Sequence, residues 1–191
     1  MKAKISVTNE RNALVVNDRA RALFMSDIAP HLDDALSLAR WLTGSRADAQ
    51  DVVQDACLRA LNGVEARRGE RPRAWLLAIV RNCAFTWLGK NRPKDLVASD
   101  DSAEIERRPD AAPDAEAALI ARCDAARLDA AIMALPPHLR EVIVMREVNG
   151  LDYRAIAEAC GTPVGTVMSR LSRARAKLIA GLGETTGSRR T

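Results

Sequence analysis

Asn82, Thr86 and Lys90 fall at i, i+4 and i+8 of an otherwise apolar stretch. On a helix that spacing puts an amide, a hydroxyl and an ammonium on one narrow face. Such groups suit base edges and phosphates. Arg81 and Arg92 lie beside the stripe, and Arg67, Arg68 and Arg71 crowd the loop before it. Taken alone, the stripe is equally well the one solvated face of a greasy helix.

A second basic stretch follows Gly161. Thr162-Pro163 reads as an N-cap followed by proline at the first helical position. Beyond it, Pro163, Thr166, Ser169, Arg170, Ser172, Arg173 and Lys177 are candidates for an exposed side. Arginines there can reach guanine edges or phosphates, and the helix N-terminus can hold a backbone phosphate. The alternative is a basic solvated face. Arg175 reads as lying nearer the interior.

The stretch Ser45 to Leu61 is of the opposite kind. Asp48, Gln50, Asp51, Gln54 and Asp55 give it an acidic side. That side repels DNA and suits a basic protein surface.

No paired carboxylates, phosphate-cradling glycine loop or nucleophile–base constellation stands out, so the chain reads as a non-enzyme without a cofactor. Cys57, Cys83, Cys123 and Cys160 have no metal-ligand spacing and read as buried small hydrophobes, so no metal is expected. No apolar run approaches a membrane span, and no signal-peptide core opens the chain. A soluble, intracellular protein is expected.

The elements that must position these groups are helical. Of 191 residues, 48% are hydrophobic and only 3% aromatic. The net charge of +4 is modest, but it is segregated. Residues 65–94 hold eight Lys/Arg and two acids, residues 95–118 two Arg and eight acids, and residues 163–178 four Lys/Arg and no acid. Two basic blocks with an acidic bridge point to two sites for a polyanion.

Apolar periodicity predicts helices from Asp27 to Leu42, Ser45 to Leu61 and Arg73 to Lys90. Gly44, Asn62-Gly63 and Pro93 punctuate them, and Ser45 with Asp48 resembles a capping box. Val52, Val53, Ala56, Leu58, Ala60 and Leu61 are assigned to the apolar side of the second helix. Leu76, Ile79, Val80, Cys83 and Trp87 are assigned to the core stripe of the third, flanked by Trp75 and Leu88. Helical stripes then recur at Leu128–Leu135 and Leu139–Met145. Asp152 caps a short helix closed by Gly161, and a last helix carries Val167, Leu171, Ala174 and Leu178. A short helix, a glycine turn and a basic helix make the pattern of a helix-turn-helix. The expected architecture is all-α: an extension over 1–22, a helical domain over 23–94, a flexible acidic linker over 95–118, a second helical domain over 119–183 and a tail over 184–191.

Four stretches in order resemble one family. Asp48 to Ala60 is similar to region 2.2 of extracytoplasmic-function (group IV) sigma factors of the sigma-70 family. Arg73 to Ala84 resembles regions 2.3 and 2.4, Leu135 to Arg146 the opening of region 4, and Tyr153 to Glu158 with Thr162 to Arg175 its helix-turn-helix. The likeness covers about residues 23–183.

It implies a subunit that lends RNA polymerase its promoter specificity, in the cytoplasm or held at the inner membrane by a membrane-bound anti-sigma factor, often in a stress response. Asp48, Asp51, Gln54 and Asp55 dock on the β′ clamp helices, and the second domain also meets the β flap. Arg67, Arg68, Arg71, Arg81, Asn82, Thr86 and Lys90 engage the −10 element, with Asn82 the base reader. Loop 64–72 captures a flipped base through polar and backbone contacts. Thr162, Pro163, Thr166, Met168, Ser169, Arg170, Ser172, Arg173 and Lys177 read the −35 element. Met168 replaces a cation common in the family and Ser172 a bulkier residue, so the −35 preference is expected to be atypical. Two other readings stay open: a mimic that titrates an anti-sigma factor, and an ordinary helix-turn-helix regulator.

Overall fold

The computed structural model describes residues 18–67, 71–91 and 115–187. The described residues open on a helix at Asp18, inside the stretch expected as an extension over 1–22. Helix α1 (Asp18–Leu23) buries Ala20 and contacts α3. The helix expected from Asp27 is not regular there. A π-helical turn (Phe24–Ile28) and a 3-10 turn (Ala29–His31) precede α2 (Leu32–Thr43). Pro30 explains the interruption, since it brings no N–H to an α-helical ladder. Gly44 then ends α2 at φ 78°, donating its N–H to the Arg40 carbonyl. A Cβ there would sit 2.9 Å from the Met133 methyl. Both the left-handed turn and this close approach therefore favour glycine.

Ser45 caps α3 (Arg46–Gly63) by accepting the Asp48 N–H at 3.3 Å. Ala49, Val52, Ala56 and Ala60 are its buried stripe, while Leu58 is 59% exposed. The stripe steps by three or four residues, and Leu58 falls off it. Helix α4 (Pro72–Lys90) starts on proline, which suits a first turn whose N–H is spare. It is buried on two faces. One carries Leu76, Val80 and Cys83, as expected; the other carries Ala74, Leu77 and Ala84, while Ile79 and Trp87 are only half-buried.

Helix α5 (Ala115–Met133) begins inside the stretch assigned to the linker. Helix α6 (Pro137–Ile143) runs into a second π-helical turn, Val144–Val148. Asp152 caps α7 (Tyr153–Cys160) through the Ala155 N–H at 2.7 Å, and Gly161 closes it at φ 60°. Helix α8 (Val164–Gly187) follows and extends into the assigned tail. Only helices and turns occur among the described residues. Positions 68–70 and 92–114, with Arg68, Arg92 and most of the linker, lie outside them.

The two helical groups pack on one another. Helix α4 lies against α7, and α2 against α6 and the turn after it. From Leu139 to Ile143, helix α6 is consequently buried all round, including its charged Arg140 and Glu141, while His138 in its first turn stays exposed. A helix wrapped all round by protein has no solvated face to offer its polar residues. Both therefore need internal partners.

Candidate nucleic-acid interface

On α4 the predicted stripe is real. Asn82, Thr86 and Lys90 are all exposed. The Thr86 hydroxyl donates to the Asn82 carbonyl at 2.8 Å, and Arg81 donates to the Asn82 side-chain oxygen at 3.2 Å. Arg81 departs from the expected open position. It is one-fifth exposed, lies over the Phe85 ring at 4.6 Å and forms an ion pair with Glu141 of α6 at 2.5 Å. Burial alone lowers its pKa, but the Glu141 bond and charge outweigh that and raise it.

The loop cations among the described residues, Arg67 and Arg71, are also engaged. Arg67 is only 13% exposed; it bonds Asp27 at 2.7 Å and lies over Trp75. Arg71 reaches Asp152 at 3.5 Å, at the start of α7. Arg73, which the sequence did not single out, bonds Asp34 at 2.7 Å and donates to the Asn149 carbonyl. Burial raises the Asp34 pKa; the Arg73 and Asn149 hydrogen bonds, with the Arg73 charge, more than reverse this and hold it below 3.8.

On α8 the buried face is Val167, Leu171 and Ala174. Pro163, Met168, Ser169, Ser172, Arg173 and Lys177 are exposed, and Thr166 is half-buried. Two assignments change. Arg170 points inward and bonds Glu141 at 3.0 Å, because it lies three residues after Val167 and four before Ala174. Arg175 is the outward one, half-exposed and paired with Glu147 at 2.7 Å. The Thr162 hydroxyl is buried without a hydrogen-bond partner among the described residues, so it caps nothing. The first turn closes through the Pro163 carbonyl, which accepts the Thr166 and Val167 N–H groups.

The acidic side of α3 is exposed at Asp51, Gln54 and Asp55 and half-buried at Asp48. Asp55 is paired with Arg59, whose hydrogen bond lowers the carboxyl's pKa. The sequence did not indicate that Gln50, Asp51 and Gln54 rim a groove of about 500 Å³ with Leu32, Leu36 and Val53. Apolar residues of α2 thus join the acids of α3 in one surface.

The cysteine assignment holds for Cys83 and Cys160, which are buried, but Cys57 is half-buried and Cys123 exposed. Burial, then the neighbouring Asp55, pushes the Cys83 thiol up to about 11, and burial pushes Cys160 up to about 12. No group of side chains suited to a metal ion occurs among the described residues, nor does a helix long and apolar enough to cross a membrane.

Residues 28–93 match the family model described as Sigma-70 region 2, and residues 125–178 the one described as Sigma-70, region 4. The ECF RNA polymerase sigma factor EcfG of Rhodopseudomonas palustris is 31% identical over 155 residues, spanning 81% of this chain and 82% of that protein. SigG of Mycobacterium tuberculosis is 31% identical over 91% of this chain, which spans about half (52%) of that relative's length. Among solved structures, the sigma factor RpoE in complex with the anti-sigma factor NepR from Bartonella quintana matches with a TM-score of 0.62 at 26% identity. That match covers 87% of this chain and 97% of the other. The chain is therefore a member of the ECF sigma factors of the sigma-70 family.

Proposed function

We propose that the protein is an alternative sigma factor: it binds RNA polymerase core, directs it to specific promoters and helps to open the −10 element. It performs no reaction of its own and needs no cofactor. The observation that carries this reading is the division of surfaces along one chain: an acidic, partly apolar groove on α2 and α3, then exposed polar and basic stripes on α4 and on α8. One surface suits a basic protein and the other two suit a polyanion.

Asp48, Asp51, Gln54 and Asp55 hold the β′ clamp helices, and the second helical group meets the β flap. Asn82, Thr86 and Lys90 face the −10 element, joined by Arg68 and by Arg67, Arg71 and Arg81 once these three are released from their acids. Pro163, Thr166, Met168, Ser169, Ser172, Arg173 and Lys177 face the −35 element. Thr162 and Arg170 support that helix from beneath. The domains divide as 23–94 and 119–183, with α1 added to the first. The protein acts in the cytoplasm, and an anti-sigma factor restrains it, as the partner named with the Bartonella protein suggests.

The test is co-elution with purified core polymerase. The chain is expected to co-elute, and an Asp51→Arg/Gln54→Arg variant to lose core binding while keeping its affinity for DNA. A chain that fails to bind core, or a variant that binds it unchanged, overturns the reading.

A further inference from the structure

Helix α8 carries three of the six exposed large hydrophobics among the described residues: Val164, Met168 and Ile179. Val164 and Met168 are four apart in its first two turns, the part of a recognition helix that reaches base edges. Met168 is 53% exposed and stands off the buried row of Val167, Leu171 and Ala174. Its neighbours there are Ser169, Ser172 and Arg173, all exposed. An apolar side chain left in water among polar and basic groups gains nothing in the free chain.

The polar groups beside it are partly committed. The Ser169 hydroxyl donates to the Thr166 carbonyl at 2.9 Å, and Arg173 Nε donates to the Ser169 carbonyl at 3.3 Å. Ser169 therefore presents lone pairs outward, and Arg173 its terminal N–H groups. Gly165 adds a third sign. It has no positive φ, and a Cβ there would meet nothing within 4 Å. No contact within the chain requires glycine, although glycine weakens a helix. The missing Cβ leaves room for a close approach from outside.

The major groove of DNA supplies a match for this mixture. Its base edges offer donors and acceptors for Ser169 and Arg173, and thymine alone adds an apolar group, its C5-methyl. The unbranched thioether of methionine adapts well to such a contact. From this we infer that Met168 sets −35 specificity by covering a thymine C5-methyl, with Val164 closing the contact on its N-terminal side. A thymine–adenine pair under Met168 is then part of the element. The inference rests on the sigma-factor reading above. Met168 also rims a groove of about 380 Å³ with Tyr153, Ser172 and Ile179. A protein seated in that groove would cover Met168 and Ile179 together, so Ile179 separates the two occupants.

The test uses holoenzyme reconstituted from purified core and the full chain, on a promoter located by transcript mapping. Each thymine of its −35 element is replaced in turn by deoxyuridine, which removes the C5-methyl and nothing else. One such replacement is expected to weaken wild-type binding about fourfold, the worth of one buried methyl. With Met168→Ala the same replacement should change binding by less than about 1.5-fold, as a double-mutant cycle requires of coupled groups. Met168→Leu, which keeps an apolar side chain, should keep the methyl dependence. Ile179→Ala should leave both affinity and methyl dependence at wild type.

A −35 element without thymine, or a deoxyuridine loss equal in wild type and Met168→Ala, overturns the inference. So does an Ile179→Ala variant that matches Met168→Ala, which assigns the patch to a protein partner. Core co-elution is scored first. Its failure removes the sigma-factor reading and this inference with it, whereas intact co-elution without methyl dependence removes the inference alone.

Discussion

Replacing Arg140 with Leu isolates the cost of a buried cation that closes helix ends. Its guanidinium donates to the carbonyls of Trp41, Leu135 and Met133, near the ends of α2 and α5. Those carbonyls have no next helical turn to bond, and a cation suits that end of a helix dipole. Each buried carbonyl left unpaired costs about 1–3 kcal/mol, so three together cost about 6 kcal/mol at the midpoint. Against this, burial pushes the Arg140 pKa down to about 10. Relief of that desolvation returns about 3 kcal/mol. The net loss is about 3 kcal/mol, which moves a urea midpoint by about 1.5 M at a slope near 2 kcal/mol/M. His138→Ala, at an exposed neighbouring position, serves as the control and should not move it. A midpoint for Arg140→Leu within about 0.5 M of wild type refutes the claim that these three bonds outweigh the burial of the charge.

Three further outcomes follow. With a thiol reagent at pH near 8, Cys123 is expected to react first and Cys57 more slowly. Cys83 and Cys160, pushed to about 11 and about 12, should react only after unfolding; fast labelling of Cys83 in the folded chain contradicts its place in the core. Restoring a cation by Met168→Lys, at a position 53% exposed on α8, is expected to raise duplex affinity and steepen the salt slope by about 1. An unchanged slope removes Met168 from the DNA face. The lowered Asp34 pKa means that its contribution to the contact between the two helical groups is present above 3.8 and is lost as pH falls through the lower folded value. Scattering at pH 5 and pH 3 should show the chain opening at the acid end, and Asp34→Asn should abolish much of that difference.

Helix positions and stops were legible because local chemistry sets them. Ser45 and Asp152 cap as their side chains dictate, and Gly44 and Gly161 take left-handed turns. Part of what was misread was also local. Arg170 shares a face with Val167 and Ala174, so its inward position could have been found from spacing, and Leu58 falls off the stripe of Ala49, Val52, Ala56 and Ala60. The interruption at Pro30 was likewise visible in the proline.

Contacts between the two halves left no such signal. Asn149 is buried and bonds Asp34, 115 residues away, and nothing in its sequence neighbourhood points to that partner. Arg73, Arg140 and Glu141 sit in helices whose periodicity says nothing about a partner across the interface. The apolar floor of the α3 groove comes from α2, so neither helix alone displays it.

The sigma-factor account is tested most directly by mapping transcript 5′ ends made by purified core polymerase on the source genomic DNA, with and without the chain. The account predicts a new set of starts, each preceded by the same pair of elements at −10 and −35, which disappears when the Asp51→Arg/Gln54→Arg variant replaces the wild type. Starts indistinguishable from those of core alone, although the chain is folded and present in excess, contradict it.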